Sequence, residues 1–265
     1  MTHFFLKILT GILVFCGSTA WAAYDFIEYF PLEQGSFWSY TKDRYDATGS
    51  VMSRSQSFRL VGDFEQINGV QAVQMMYFID DFLDMTQPMD YDLFSSDEQF
   101  LYIHGTYDYW EDYYDYRLTR FDPPISIQRF VDVGDTISAW TIEIAPDGRQ
   151  KPVSLFFRLD SVEDITTPAG FFADSLVFEI TESYQNAYND NVEYVWFAKG
   201  VGEIKNQEFL EDGTISVSQL TDFQNINQPE TILGSLKTNL NKGVVPITID
   251  FYTLITQGEQ PFQYR

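Results

Sequence analysis

The chain has 265 residues, 45% of them hydrophobic and 17% aromatic, and its 39 acidic residues outweigh 16 basic ones for a net charge of −23. Such acidity repels nucleic acid and anionic lipid, which excludes both as general partners. The single Cys lies at position 16, so a chain that starts beyond it has neither disulfides nor thiol chemistry.

Residues 1–22, "MTHFFLKILTGILVFCGSTAWA", read as an export signal peptide. Lys7 and the free amino group supply positive charge, Ile8 to Cys16 form an apolar run, and Ala20-Trp21-Ala22 fits the small-x-small cleavage rule. The run is shorter than the roughly 20 residues a membrane-spanning helix needs. Cys16 offers a competing reading as the lipidated Cys of a bacterial lipoprotein. The bulky Phe15 before it argues for ordinary cleavage and a mature chain starting at Ala23. No later segment is apolar enough to span a membrane as a helix. Export without disulfides fits a bacterial periplasmic or secreted protein.

Residues 23–224 read as one β-rich domain. Val153, Leu155, Phe157 and Leu159 alternate with Ser154, Arg158 and Asp160. Leu176, Phe178 and Ile180 alternate with Val177, Glu179 and Thr181. Tyr194, Trp196 and Ala198 alternate with Glu193, Val195 and Phe197. Period two with β-branched and aromatic residues means strands. Asn68-Gly69, Asp147-Gly148 and Asp212-Gly213 separate such runs, as tight hairpin turns require. Pro123-Pro124 breaks the chain in its middle, and Pro168-Ala169-Gly170 makes another corner. Roughly ten to twelve strands in short hairpins predict an all-β fold, an antiparallel sandwich or an open half-barrel. Residues 225–265 have fewer acids and read as a C-terminal extension or one more strand.

Gly200 and Gly202 flank a turn between two strands. A phosphate-binding loop would be followed by a helix, so nucleotide binding is rejected. Beyond the signal the chain has one His, His104, which leaves no Cys/His zinc site. His104 reads as a hydrogen-bonded residue at a strand end, and no Gly-x-Ser-x-Gly elbow accompanies it. Paired carboxylates remain open, since so many acids let any β fold bring two within glycosidase distance.

Between Arg59 and Arg117 there is no Lys or Arg, yet there are 13 acids. Asp80, Asp81 and Asp84 cluster there in "IDDFLDM", with Asp90 and Asp92 following. Calcium takes six to eight oxygens from such loops, which makes it the one cofactor the sequence leaves open. The same interval ends in "YDYWEDYYDYR", residues 107–117. In alternation Tyr107, Tyr109, Glu111 and Tyr113 share one face. Those rings beside carboxylates form a candidate ligand-binding platform for a sugar or a cationic peptide. The alternative is a hairpin whose hydroxyls meet water.

Three stretches, "YFPLEQGSFWSY" (29–40), "TTPAGFFADSLVFEI" (166–180) and "YVWFAKGVGEIKNQEF" (194–209), resemble a loose, mostly uncharacterised group of exported bacterial β-rich proteins. The resemblance spans about residues 28 to 223 and implies an envelope protein without a known activity. A more distant architectural likeness is to the periplasmic half-barrels that carry lipoproteins or lipids. The sequence thus reads as an exported, non-enzymatic protein that binds a ligand or an envelope partner. An apolar ligand in a half-barrel is one form of this. Its rivals are a carboxylate-based polysaccharide hydrolase and a purely structural envelope component.

Overall fold

The computed structural model describes residues 23–79, 88–110, 115–184, 191–210 and 212–224. The chain divides into two compact units, Met1–Gln228 and Pro229–Arg265, and the described residues all belong to the first. The segments 1–22 and 225–265 lie outside them. In chain order the strands are β1 (Tyr24–Asp25), β2 (Phe37–Tyr45), β3 (Val51–Ile67), β4 (Val70–Ile79), β5 (Asp90–Ser96), β6 (Phe100–Trp110), β7 (Asp115–Gln128), β8 (Phe130–Val131), β9 (Thr136–Ile144), β10 (Gln150–Thr167), β11 (Gly170–Tyr184), β12 (Asn191–Ala198), β13 (Gly202–Phe209) and β14 (Ile215–Gln224). One 3-10 turn, Phe26–Tyr29, accompanies them.

The fold is all-β and antiparallel, as the alternation predicts. Twelve strands, β2 to β7 and β9 to β14, pair in sequence, and β14 returns to β2, so the barrel is closed rather than half-open. β1 and β8 pair separately. Bulges explain the closure. Extra residues interrupt the register at Val61/Phe64, Leu93/Phe94, Ile103/Gly105, Leu159/Ser161 and Trp196/Phe197. Each adds bend and twist to a sheet that would otherwise stay open.

Within the barrel, the seam is the narrowest pairing. β7 meets β9 at only Arg120↔Ile144, Phe121↔Glu143 and Asp122↔Ile142. Pro123 and Pro124 follow at once, and neither has an N–H to continue the ladder. The Thr141 hydroxyl instead donates to the Pro123 carbonyl at 2.6 Å.

The turn chemistry is as expected. Asn68 and Gly69 both have positive φ, 51° and 81°, between β3 and β4. In β10, Val153, Leu155, Phe157 and Leu159 all face the core. In β12 Val195 and Phe197 face the interior with Phe178 and Phe26, while Trp196, opposite Val177 and Lys205, points to the other face, where it is buried too. There it is covered by the Lys205 ammonium, 4.0 Å from its ring centroid, and donates its indole N–H to Glu163. An aromatic ring therefore marks the outer face here, because long polar side chains shield it.

One end of the interior is filled. Asp25 caps the turn at Phe26–Tyr29 and takes two bonds from Arg129, at 2.8 and 2.6 Å. The Phe26 N–H donates to the Arg129 carbonyl, and the Gly200 N–H donates to the Glu28 carbonyl. Held this way, Phe26 packs on Phe178 and Phe197 with centroids 5.0 and 5.2 Å apart, and Phe30 packs on Phe94 at 5.1 Å. Outward positions carry ion pairs such as Asp43–Arg54 and Arg158–Glu179. No described helix is long and apolar enough to cross a membrane.

Gly105 in β6 lies directly against the β7 backbone, opposite Arg120. A Cβ there would lie 2.4 Å from the Thr119 carbonyl oxygen. Gly105→Ala is expected to destabilise the barrel by about 1–3 kcal/mol through overpacking. Urea unfolding measures this, and an unchanged midpoint would show that the two strands part freely there.

Candidate functional site: a charged half of the barrel interior

Alternation carries polar residues inward along the other half of the barrel. Beyond Trp38 and Tyr40, the register of β3 to β6 lines the interior with Ser57, Arg59, Tyr77, Asp90, Asp92, Thr106 and Asp108. From β12 and β13 come Glu193, Glu203 and Asn206.

Arg59 is the centre of this half. Its guanidinium meets both Glu203 oxygens, at 2.5 and 2.8 Å. It also lies 4.9 Å from the Tyr40 ring centroid and 5.2 Å from that of Tyr77. Burial works against its charge, but Glu203 and the two tyrosines outweigh this and raise its pKa. The Tyr40 hydroxyl donates to the Glu203 carbonyl at 2.9 Å. Gly202, whose φ of +101° suits glycine, precedes Glu203, and the Trp38 indole N–H donates to the Val201 carbonyl at 2.5 Å. A cavity of about 20 Å³ lies among Phe30, Trp38, Tyr40, Arg59, Tyr77 and Glu203. It has room for one water molecule.

Carboxyl groups surround this clamp. Asp92 accepts from Tyr77 at 3.0 Å and from Thr106 at 2.5 Å. Burial pushes its pKa up nonetheless. Asp90 is the direct cross-strand partner of Asp108. Burial, with Asp92 and Asp108 as like-charged neighbours, raises Asp90 to about 7. Burial beside Asp92 and Glu143 also raises Asp108. Glu193 accepts from the Asn206 amide, and burial next to Glu203 raises it to about 7. Five carboxyl groups thus share the interior with Arg59, and Arg117 stands across from Asp108 on β7.

The sequence-derived candidates fall elsewhere. Tyr107 lies on the outer face in a second, small apolar cluster of Ile67, Ala72 and Leu93, with Tyr91 and Leu118 packed against it. Its ring stacks on Tyr91 at 4.5 Å and its hydroxyl donates to Glu65 at 2.6 Å. Tyr109 is a β6 residue paired with Tyr116 in β7. Glu111 and Tyr113 lie outside the described residues, as do Asp80, Asp81 and Asp84. Among the described residues, no group of three His, Cys, Asp or Glu side chains is placed to hold a metal ion. His104 lies within β6 rather than at its end, buried at the Ile103/Gly105 bulge, with its Nε2 2.8 Å from the Ser95 hydroxyl. No sequence motif pointed to Arg59 or Glu203. The available signal was a charge on the inward phase of an otherwise alternating strand.

No protein-family model matches the chain, and no curated protein matches it. Among solved structures the barrel is similar to a candidate lipoprotein from Parabacteroides distasonis, at 15% identity and a TM-score of 0.43, over 77% of this chain and 99% of that one. It is also similar to a candidate exported protein with a YmcC-like fold from Bacteroides fragilis, at 13% identity and a TM-score of 0.42, over 77% of this chain and all of that one. Nothing about the role of this chain follows at such similarity.

Two predictions test the site. Glu203→Ala leaves the Arg59 charge buried and unpaired, which should cost about 3–5 kcal/mol, whereas replacing both partners by Met should recover most of that loss. Chemical denaturation of the three proteins decides it, and equal destabilisation of single and double variants would contradict the clamp.

The second concerns pH. Asp90 has a folded pKa near 7 against 3.8 unfolded. Between those values the native state holds a proton that the unfolded state has lost. The stability associated with Asp90 is therefore full below about pH 4, falls as pH rises, and is fully lost above about pH 7. Asp90→Asn should raise the urea midpoint at pH 8 and leave it nearly unchanged at pH 4.5. An equal shift at both values would show that Asp90 is not desolvated.

Proposed function

We propose that the chain is an exported, non-enzymatic β-barrel protein that binds a small polar ligand carrying positive charge in the charged half of its interior. Export rests on the tripartite pattern of residues 1–22. The ligand class rests on one observation: Asp90, Asp92, Asp108, Glu193 and Glu203 line an interior shared with Arg59. Burial without enough counter-charge holds Asp90 and Glu193 near neutrality. A cation that displaces their protons would restore the favoured pairing. An apolar ligand finds less support, because the aromatic rings of the plug and the barrel already fill the apolar half.

Calorimetry with the diamine putrescine, alongside calcium and a neutral oligosaccharide, tests the reading. Putrescine should bind with proton release, more tightly at pH 8 than at pH 6, and Asp90→Asn with Asp108→Asn should abolish binding. Failure of putrescine to bind at either pH would remove the proposal.

The cross-strand pairing of Asp90 with Asp108 favours one second reading, carboxylate-based polysaccharide hydrolysis. A carboxyl with pKa near 7 facing another is the arrangement an acid catalyst uses. Release of reducing ends from polysaccharide by the wild type, lost in Asp90→Asn, would favour hydrolysis over binding.

A further inference from the structure

The seam between β7 and β9 opens on one side into a cleft of about 450 Å³, lined by Arg117, Leu118, Arg120, Ala145 and Pro146. Its origin is topological. β9 ends at Ile144, the partner of Arg120, and the chain turns away through Ala145 and Pro146 toward β10. Among the described residues, residues 115–119 of β7 therefore continue with β6 on one side and pair with no strand on the other. The depression is shallow and open to solvent.

The charge in this cleft is unusual for the chain. Among the described residues, six other arginines make an ion pair with a carboxylate. Arg117 also has an interaction of its own. Arg120 is exposed, makes no such pair, and faces the cleft. With 39 acids against 16 bases, an exposed arginine that makes no ion pair stands out on this chain. Beyond roughly 8 Å, physiological salt screens the net negative charge, so the local guanidinium groups set the potential inside the cleft. A guanidinium there offers a planar pair of donors that matches an oxyanion.

We infer that this cleft is a second binding site, distinct from the interior one, for a small molecule bearing a carboxylate or phosphate group, with Arg120 as its direct contact. Leu118 and Pro146 give the ligand an apolar wall, and Ala145 leaves its approach unobstructed.

Titration of the isotope-labelled full mature chain by NMR, with inorganic phosphate and separately with citrate at constant ionic strength, tests this. The amides of Leu118, Arg120 and Ala145 should shift saturably with at least one of the two anions. Arg120→Ala, whose well-dispersed spectrum would confirm folding, should weaken that binding at least tenfold. Saturation by one anion alone identifies which oxyanion the cleft prefers. Shifts that grow linearly with both anions, or saturation unchanged in Arg120→Ala, would overturn the assignment. Arg117 lines this cleft and also stands across from Asp108, so Arg120→Ala, which leaves the interior carboxylates in place, is the variant that separates this outcome from putrescine binding.

Discussion

The interior of this barrel depends on the aromatic plug set by Phe26 and Phe30. Twelve strands enclose more volume than their own side chains fill at one end, and two phenylalanines from the N-terminal turn occupy it. The turn stays in place through Asp25, whose carboxylate caps it and also accepts both donors of Arg129, a pairing that lowers its pKa. Truncating a buried aromatic of this kind costs about 3–5 kcal/mol. Losing the plug would also admit water to Leu159, Leu176 and Phe178, all now below 3% exposure.

With that end sealed, the opposite half must be the polar one, and its chemistry follows. An arginine can sit in a barrel interior only when its charge is matched and its donors are used. Glu203 matches the charge, and the faces of Tyr40 and Tyr77 replace part of the lost hydration. Among the described residues Asp90 and Glu193 make no ion pair. Asp90 and Glu193 are therefore weak acids in the folded state, and their protonation is the open variable of the site. The stability associated with each is lost as the pH rises through its raised pKa, because burial disfavours the charged form.

Much of the fold was legible because period-two alternation and turn dipeptides are local signals. β10 and the Asn68-Gly69 turn are read directly from residues a few positions apart. Closure was not legible, since it rests on bulges such as Ile103/Gly105 and on pairing between β2 and β14, segments more than 160 residues apart. The site was hidden for the same reason. Arg59 and Glu203 are 144 residues apart, and nothing local marks either. The "YDYWEDYYDYR" stretch misleads a one-strand alternation, because β6 ends at Trp110 and β7 begins at Asp115. Tyr107 and Leu118, directly opposed across that hairpin, both pack into the outer cluster.

The central claim is that a dry apolar half and a water-reachable charged half share one barrel. No cysteine lies beyond Cys16, so in a chain that starts after it single introduced thiols can report on each half without interference. Ser57→Cys faces the charged half beside Tyr40, and Val195→Cys faces the apolar half beside Phe178. Labelling of the native protein with a small, charged methanethiosulfonate should modify position 57 orders of magnitude faster than position 195, which should react only at the rate of unfolding. Equal rates at the two positions, whether fast or slow, would contradict the division.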